Sequence, residues 1–118
     1  MKILDTNFIC SLFNQSDVNH SRAKDIFFEI PETEKIKIPY IVAAELSVNK
    51  EGTKYLYAAK QITTKFITNN EADLDYILTI PDRSKIKLKA NDCLILALCK
   101  RAKAELLTFD KLLLQAAH

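Results

Sequence analysis

Short apolar segments that end at polar residues alternate along this chain with longer segments in which apolar residues recur every three or four positions. The short segments are typical of buried strands, and the longer ones are typical of helices with one apolar face. Strands that alternate with helices favour a mostly parallel sheet covered by helices on both faces. The sequence therefore predicts an α/β fold, a three-layer α/β/α sandwich.

The individual elements can be predicted from apolar periodicity, prolines and capping residues. Thr6 and Asn7 are expected to cap the first helix, and Pro39 to open the third. Strands are predicted at 2–5, 36–39, 66–67 and 105–109. Helices are predicted near 8–13, 20–30, 40–46, 52–64, 71–80, 90–103 and 110–117.

The chain has 118 residues, close to the commonest size of one domain, so we predict a single domain over residues 1–118. With 48% hydrophobic and 27% charged residues, it is unlike a disordered segment. Its longest apolar run, Cys93 to Cys99, is far shorter than the roughly 20 residues of a membrane span. Asp5 interrupts the apolar start of the chain, whereas a secretory signal needs a longer uninterrupted apolar segment. We therefore expect a cytoplasmic protein with no membrane partner.

Cysteine, glycine and net charge exclude several kinds of site. The three cysteines form no CxxC pair, so neither a disulfide framework nor a thiolate zinc site is expected. The single glycine, Gly52, leaves no phosphate-cradling loop. A formal net charge of +2 is too small to indicate a polyanionic partner by itself.

Four carboxylates stand beside apolar elements: Asp5 and Asp110 after the first and last strands, Glu45 inside an apolar stretch, and Asp92 at the start of a helix. Each alone could be a capping residue or a solvent-facing one. The carboxyl ends of parallel strands share one edge of a sheet, where helix N-termini also gather. We therefore expect all four acids in one crevice.

Carboxylates held close together repel one another, and a bound cation removes that repulsion. The four candidate ligands offer carboxylate oxygens alone, and oxygen ligands favour Mg²⁺ or Mn²⁺ over zinc. Magnesium held by carboxylates suits the hydrolysis of phosphodiester bonds.

The segments around these acids resemble the four motifs of the PIN-domain ribonucleases, in order along the whole chain. They are most similar to those of the VapC-type toxins of toxin-antitoxin pairs. The segments are Ile3-Leu4-Asp5-Thr6-Asn7, Ala43-Ala44-Glu45-Leu46, Lys89-Ala90-Asn91-Asp92-Cys93-Leu94-Ile95-Leu96-Ala97 and Leu106-Leu107-Thr108-Phe109-Asp110-Lys111.

The resemblance implies that the four acids form a catalytic Mg²⁺ or Mn²⁺ site, with Thr6 and Thr108 as neighbouring hydroxyls and Asn7 as a polar support. It implies an endoribonuclease in which water attacks the phosphorus, leaving 5′-phosphate and 3′-hydroxyl ends. It also implies silencing by a small cognate antitoxin and assembly as a homodimer.

A row of cations precedes the third motif. Arg83, Lys85, Lys87 and Lys89 alternate with other residues and would share one side of an extended segment. They are candidate RNA contacts, since lysine and arginine provide sequence-independent affinity for phosphates. An ordinary solvated face is the alternative.

Other functions remain open. A haloacid-dehalogenase-like phosphatase would need a second aspartate at position 7, where Asn7 stands, and a response-regulator receiver would need one near mid-chain, whereas residues 46–70 contain none. A catalytically silent PIN-like domain that binds RNA or a protein is the strongest alternative of another class. A housekeeping RNA-processing nuclease is the alternative within the enzyme class.

Overall fold

The computed structural model describes residues 1–62, 65–80 and 88–117. Within those ranges the chain forms four strands and seven helices. The strands are β1 (Lys2–Leu4), β2 (Ile36–Pro39), β3 (Lys65–Ile67) and β4 (Glu105–Leu107). The helices are α1 (Thr6–Phe13), α2 (His20–Phe28), α3 (Tyr40–Leu46), α4 (Lys50–Lys60), α5 (Ala72–Thr79), α6 (Ala90–Ala102) and α7 (Lys111–Ala117).

The four strands form one sheet in the order β3-β2-β1-β4, and every described pair of neighbours is parallel. Strand β1 lies in the interior, where Ile3 pairs with Lys37 on one side and with Leu106 on the other. The predicted α/β class with a mostly parallel sheet is confirmed.

The core forms where the sheet meets its helices. Ile3 and Leu4 of β1 and Ile38 of β2 are fully buried, as expected for strands covered on both faces. Helix α1 packs against α2, α3 and α4, α6 packs against α5 and α7, and α3 also contacts α6. One connected core cluster draws residues from Ile3 to Leu113. Within the described residues, no helix is long and apolar enough to cross a membrane.

The predicted elements agree with the observed ones apart from their ends. Strand β2 and helix α3 have the predicted bounds, and the long helix predicted over 90–103 is α6. The predicted cap of α1 is wrong, because the helix already begins at Thr6, and Asp5 accepts a hydrogen bond from the Thr6 backbone N–H. Asp5, in extended conformation, is therefore the N-cap residue.

Helix α4 lies close to the end of α3 at Gly52. A Cβ atom on this residue would stand 2.0 Å from the carbonyl oxygen of Leu46, the last residue of α3. Asn49 caps α4 by accepting a hydrogen bond from the Gly52 backbone N–H at 2.7 Å. The single glycine of the chain thus stands where only hydrogen fits.

Candidate active site

The order in which strands are added to the sheet reverses between β1 and β4. After β1 the chain builds β2 and β3 outward on one side, and β4 then returns to the other side of β1. In open parallel sheets, ligands bind in the crevice at the carboxyl ends of strands where the order reverses in this way. Asp5 follows β1 directly, and its backbone N–H donates a hydrogen bond to the Leu107 carbonyl oxygen of β4 at 3.1 Å. Asp110 follows β4.

The other two candidate acids come from helices. Glu45 lies in the second turn of α3, and Asp92 lies in the first turn of α6. A cleft of about 530 Å³ is lined by all four carboxyl-bearing residues that the sequence singled out. Thr6, Asn7 and Lys89 also line this cleft, which is called the acidic cleft below.

Asp5 lies deepest of the four, with 7% of its surface exposed. Its carboxylate accepts hydrogen bonds from the Thr6 backbone N–H and from the Thr108 hydroxyl, both at 2.8 Å. Burial raises the pKa of Asp5 to about 6, the nearby charges of Glu45 and Asp92 add to the rise, and the two hydrogen bonds oppose it. Its environment therefore disfavours a negative charge that has no compensating cation.

The remaining three carboxylates are each held by a donor of this chain. The Thr6 hydroxyl donates to Glu45 at 3.0 Å. The Lys89 backbone N–H donates to Asp92 at 3.1 Å. Asp110 accepts from the Leu113 backbone N–H at 3.1 Å, as an N-cap residue does.

Asn7 and Thr108 join α1 to the segment between β4 and α7. The Asn7 side-chain oxygen accepts a hydrogen bond from the Phe109 backbone N–H at 3.1 Å and lies 3.2 Å from the Thr108 hydroxyl oxygen. That hydroxyl oxygen accepts in turn from the Asp110 backbone N–H at 3.0 Å. The Thr108 hydroxyl therefore contacts both the Asp5 carboxylate and the backbone that positions Asp110.

Several residues line the acidic cleft that the sequence did not single out. Asp17 is a fifth carboxylate, which accepts hydrogen bonds from the Ser11 hydroxyl at 2.9 Å and the Asn19 backbone N–H at 2.8 Å. Cys10 and Ser11 lie one helical turn after Thr6 and Asn7, so helical spacing could have predicted them. Asp17 lies in a polar connection with no periodicity, where nothing in the sequence marks it.

The donor chemistry of the cleft fits a hard divalent cation, since carboxylate oxygens are the ligands that Mg²⁺ and Mn²⁺ prefer. Burial, with a smaller contribution from the charges of Glu45 and Asp92, raises the pKa of Asp5, and a bound cation would favour its ionised form. Within the described residues, no three His, Cys, Asp or Glu side chains are grouped closely enough to hold a metal ion. The four carboxylates share the cleft without forming a ligand cluster.

The structure describes only one member of the predicted basic row. Lys89 is exposed and lines the acidic cleft. Arg83, Lys85 and Lys87 lie outside the described residues.

Comparison with known families assigns the chain. Residues 2–118 match the family model described as the PIN domain. The chain belongs to the PIN domain family. No curated protein matches the sequence significantly.

Solved structures share this PIN fold. Mycobacterium tuberculosis VapC20, described as a toxin that cleaves the sarcin-ricin loop, superposes with a TM-score of 0.74 at 19% identity, over 98% of this chain and 95% of that one. A chain of a toxin-antitoxin complex from Klebsiella pneumoniae superposes with a TM-score of 0.68 at 22% identity, over 92% of this chain and 85% of that one. At these identities the likeness shows the fold.

Proposed function

We propose that this PIN-family chain is a metal-dependent endoribonuclease that acts as the toxin of a toxin-antitoxin pair. The observation that carries the proposal is the convergence of Asp5, Glu45, Asp92 and Asp110, from four separate segments, on one cleft. VapC20 is described as a toxin that cleaves the sarcin-ricin loop, which agrees with this proposal. Residues 1–118 would act as one nuclease domain in the cytoplasm.

The ligands of a bound Mg²⁺ or Mn²⁺ would be drawn from these four carboxylates. Such an ion lowers the pKa of a water molecule and stabilises charge on phosphoryl oxygens. The chain's own hydrogen bonds orient the ligands: Thr6 holds Glu45, and Thr108 holds Asp5. Carboxylates that are already oriented lose less conformational freedom when a metal ion or a substrate binds. The residues that orient them therefore affect both metal affinity and reaction rate.

The proposed partners are an RNA substrate, a small cognate antitoxin and a second copy of the chain. The Klebsiella pneumoniae structure is a toxin-antitoxin complex, which supports the antitoxin. Lys89 beside the acidic cleft is a proposed RNA contact, together with Arg83, Lys85 and Lys87 of the same row.

The nuclease proposal is tested by cleavage of total RNA with purified protein and Mg²⁺. We expect cleavage that stops in excess EDTA and products with 5′-phosphate and 3′-hydroxyl ends. Asp92→Asn should reduce the rate about 100-fold or more, since it removes a charge from the reacting site. Asp25→Asn, at an exposed position of α2, is the charge-matched control and should cleave normally.

Two outcomes would contradict the nuclease. Cleavage that persists in EDTA, or products with 2′,3′-cyclic phosphate ends, would exclude hydrolysis at a metal site. RNA binding without any cleavage by the wild-type protein would instead support a catalytically silent PIN-like domain.

A further inference from the structure

A second cavity, of about 510 Å³, lies beside the acidic cleft, between strand β4 and helices α2 and α7. We propose that it binds the nucleotides of a single-stranded RNA that flank the cleaved phosphate, an inference that rests on the proposed ribonuclease function. It is called the flanking cavity below. Its volume falls in the ordinary range of small-ligand sites, about 300–1,000 Å³.

The flanking cavity and the acidic cleft are neighbours. Asn19 and Phe109 line both of them. A strand of RNA with one phosphate among the acids can therefore place its next nucleotide across Phe109.

Phe109 lies between the two sites and is held by its contacts with α1. Its half-buried ring stacks on Phe8, with centroids 5.5 Å apart and planes 16° from parallel, and Phe8 is only 1% exposed. Its backbone N–H is held by the Asn7 side chain. An aromatic ring fixed in this way is a platform on which a nucleobase can stack, and such stacking contributes about 1–3 kcal/mol per base in single-strand binding proteins.

The flanking cavity is positively charged at its rim. Arg22 and Lys111 line it, both are exposed, and neither forms an ion pair with a carboxylate among the described residues. The carboxylate of Glu105, which also lines the cavity, is paired with the ammonium group of Lys2. Two free cations therefore face one carboxylate that is already paired.

The flanking cavity supplies the positive charge and apolar surface that the acidic cleft lacks. The carboxylates of that cleft repel every phosphate of the RNA except one next to a bound cation, so the neighbouring phosphates need positive charge close by. Arg22 and Lys111 supply such charge, while buried apolar residues such as Leu106 offer the surface that a base needs. An exposed base requires an unpaired strand, which is why single-stranded RNA fits better than a duplex.

The test measures RNA binding without cleavage, in Asp92→Asn protein. Fluorescence anisotropy measures the binding of a labelled oligoadenylate over a series of salt concentrations. The Asp92→Asn protein is compared with a variant that also carries Arg22→Ala and Lys111→Ala. We expect about tenfold weaker binding at low salt and a salt dependence flatter by about 1.4 in the log–log slope, as two lost phosphate contacts imply.

A matched control removes two lysines elsewhere. Lys24→Ala with Lys60→Ala changes the net charge equally, at exposed positions that line neither cavity. This pair should leave the slope unchanged. Equal melting temperatures of both double variants would show that the difference concerns binding.

The Phe109 platform has its own readout. A fluorescent adenine analogue within the oligoadenylate should be quenched when it stacks on the ring. Phe109→Leu keeps an apolar side chain but removes the π-face, so we expect the quenching to disappear. Phe109→Tyr should preserve it.

The outcomes separate this inference from the nuclease proposal. If the Arg22 and Lys111 variant binds RNA as its control does, or if quenching persists in Phe109→Leu, the flanking cavity is not an RNA site, even when the wild-type protein cuts RNA. If that variant binds RNA normally but no longer binds the cognate antitoxin, the cavity is a protein-docking surface and the inference is wrong. Weaker RNA binding together with a flatter salt dependence supports the inference, whether or not the wild-type protein cleaves RNA.

Discussion

Asp5 shows how one residue can serve both the fold and the candidate site. Its backbone joins β1 to β4, its side chain caps α1, and its carboxylate lies 7% exposed at the base of the acidic cleft. Two hydrogen bonds hold a carboxylate whose pKa burial has nevertheless raised to about 6, from 3.8. The side chain therefore costs stability when it is ionised without a cation.

Asp5→Asn should stabilise the metal-free protein near pH 7. A carboxyl whose pKa is higher in the folded state favours folding only while it is protonated, and that contribution disappears as pH rises through the folded-state value. The penalty is therefore absent below about pH 4 and complete above about pH 6. The shift corresponds to at most about 3 kcal/mol at pH 7. Urea denaturation in EDTA from pH 4 to 8 would measure the gain.

The opposite result would change the assignment of Asp5. If Asp5→Asn lowered the free energy of unfolding by several kcal/mol at pH 7, the carboxylate would be a structural partner of a buried cation or donor. Asp25→Asn serves as the exposed control and should change stability by less than about 0.5 kcal/mol at any pH.

At the scale of elements, the α3–α4 junction positions Glu45. Leu46 is 2% exposed, and its carbonyl oxygen occupies the space that a side chain at Gly52 would need. Glu45 is the preceding residue of the same short helix. Any displacement of Leu46 therefore moves a carboxylate of the acidic cleft.

Gly52→Ala should destabilise the protein by about 1–3 kcal/mol, because the new Cβ would overlap a backbone atom that cannot move independently. An ordinary Gly→Ala change inside a helix stabilises by about 0.5–1 kcal/mol, so the sign itself is informative. We also expect slower RNA cleavage at temperatures where the variant is folded. Thermal denaturation and the cleavage assay would measure the two effects.

Lys54→Ala, at an exposed position of the same helix, is the control for helix α4. It should alter stability by less than about 0.5 kcal/mol and leave cleavage unchanged. A stability gain in Gly52→Ala would show that α4 can shift away from α3 without cost.

At the scale of the whole molecule, the proposed toxin role makes a prediction in cells. An active cytosolic ribonuclease is harmful, so expression of the wild-type chain alone should arrest growth. An antitoxin that places an arginine or lysine among the four acids would neutralise the charge that a metal ion otherwise neutralises. Co-expression with a small cognate antitoxin should therefore restore growth.

Asp92→Asn is the control for toxicity, and its expression alone should be harmless. A wild-type chain that cuts RNA in the test tube, yet has no effect on growth without a partner, would contradict the toxin role. That result would support the housekeeping RNA-processing alternative.

Much of the architecture could be predicted from sequence patterns within single helices and strands. The apolar period and the proline at its start located α3, and the apolar residues of 90–103 located α6, because these signals arise from neighbours within one element. The cap of α1 was mispredicted, since polar residues at 5, 6 and 7 all suit that position and the choice depends on where β1 ends. The role of Gly52 depends on a second helix, which local patterns do not report.

By itself, the sequence determined the fold class, the order of the elements and the four carboxylates at their ends, because strand and helix periods and the residues after them are local properties. Only the tertiary structure decided what surrounds those acids: the burial that raises the pKa of Asp5, the Thr108 hydroxyl that holds it, and Asp17 in the same cleft. The flanking cavity also belongs to this second group, since its residues come from β4, α2 and α7. Burial and contact between distant segments follow from how the sheet and helices pack, which no single segment encodes.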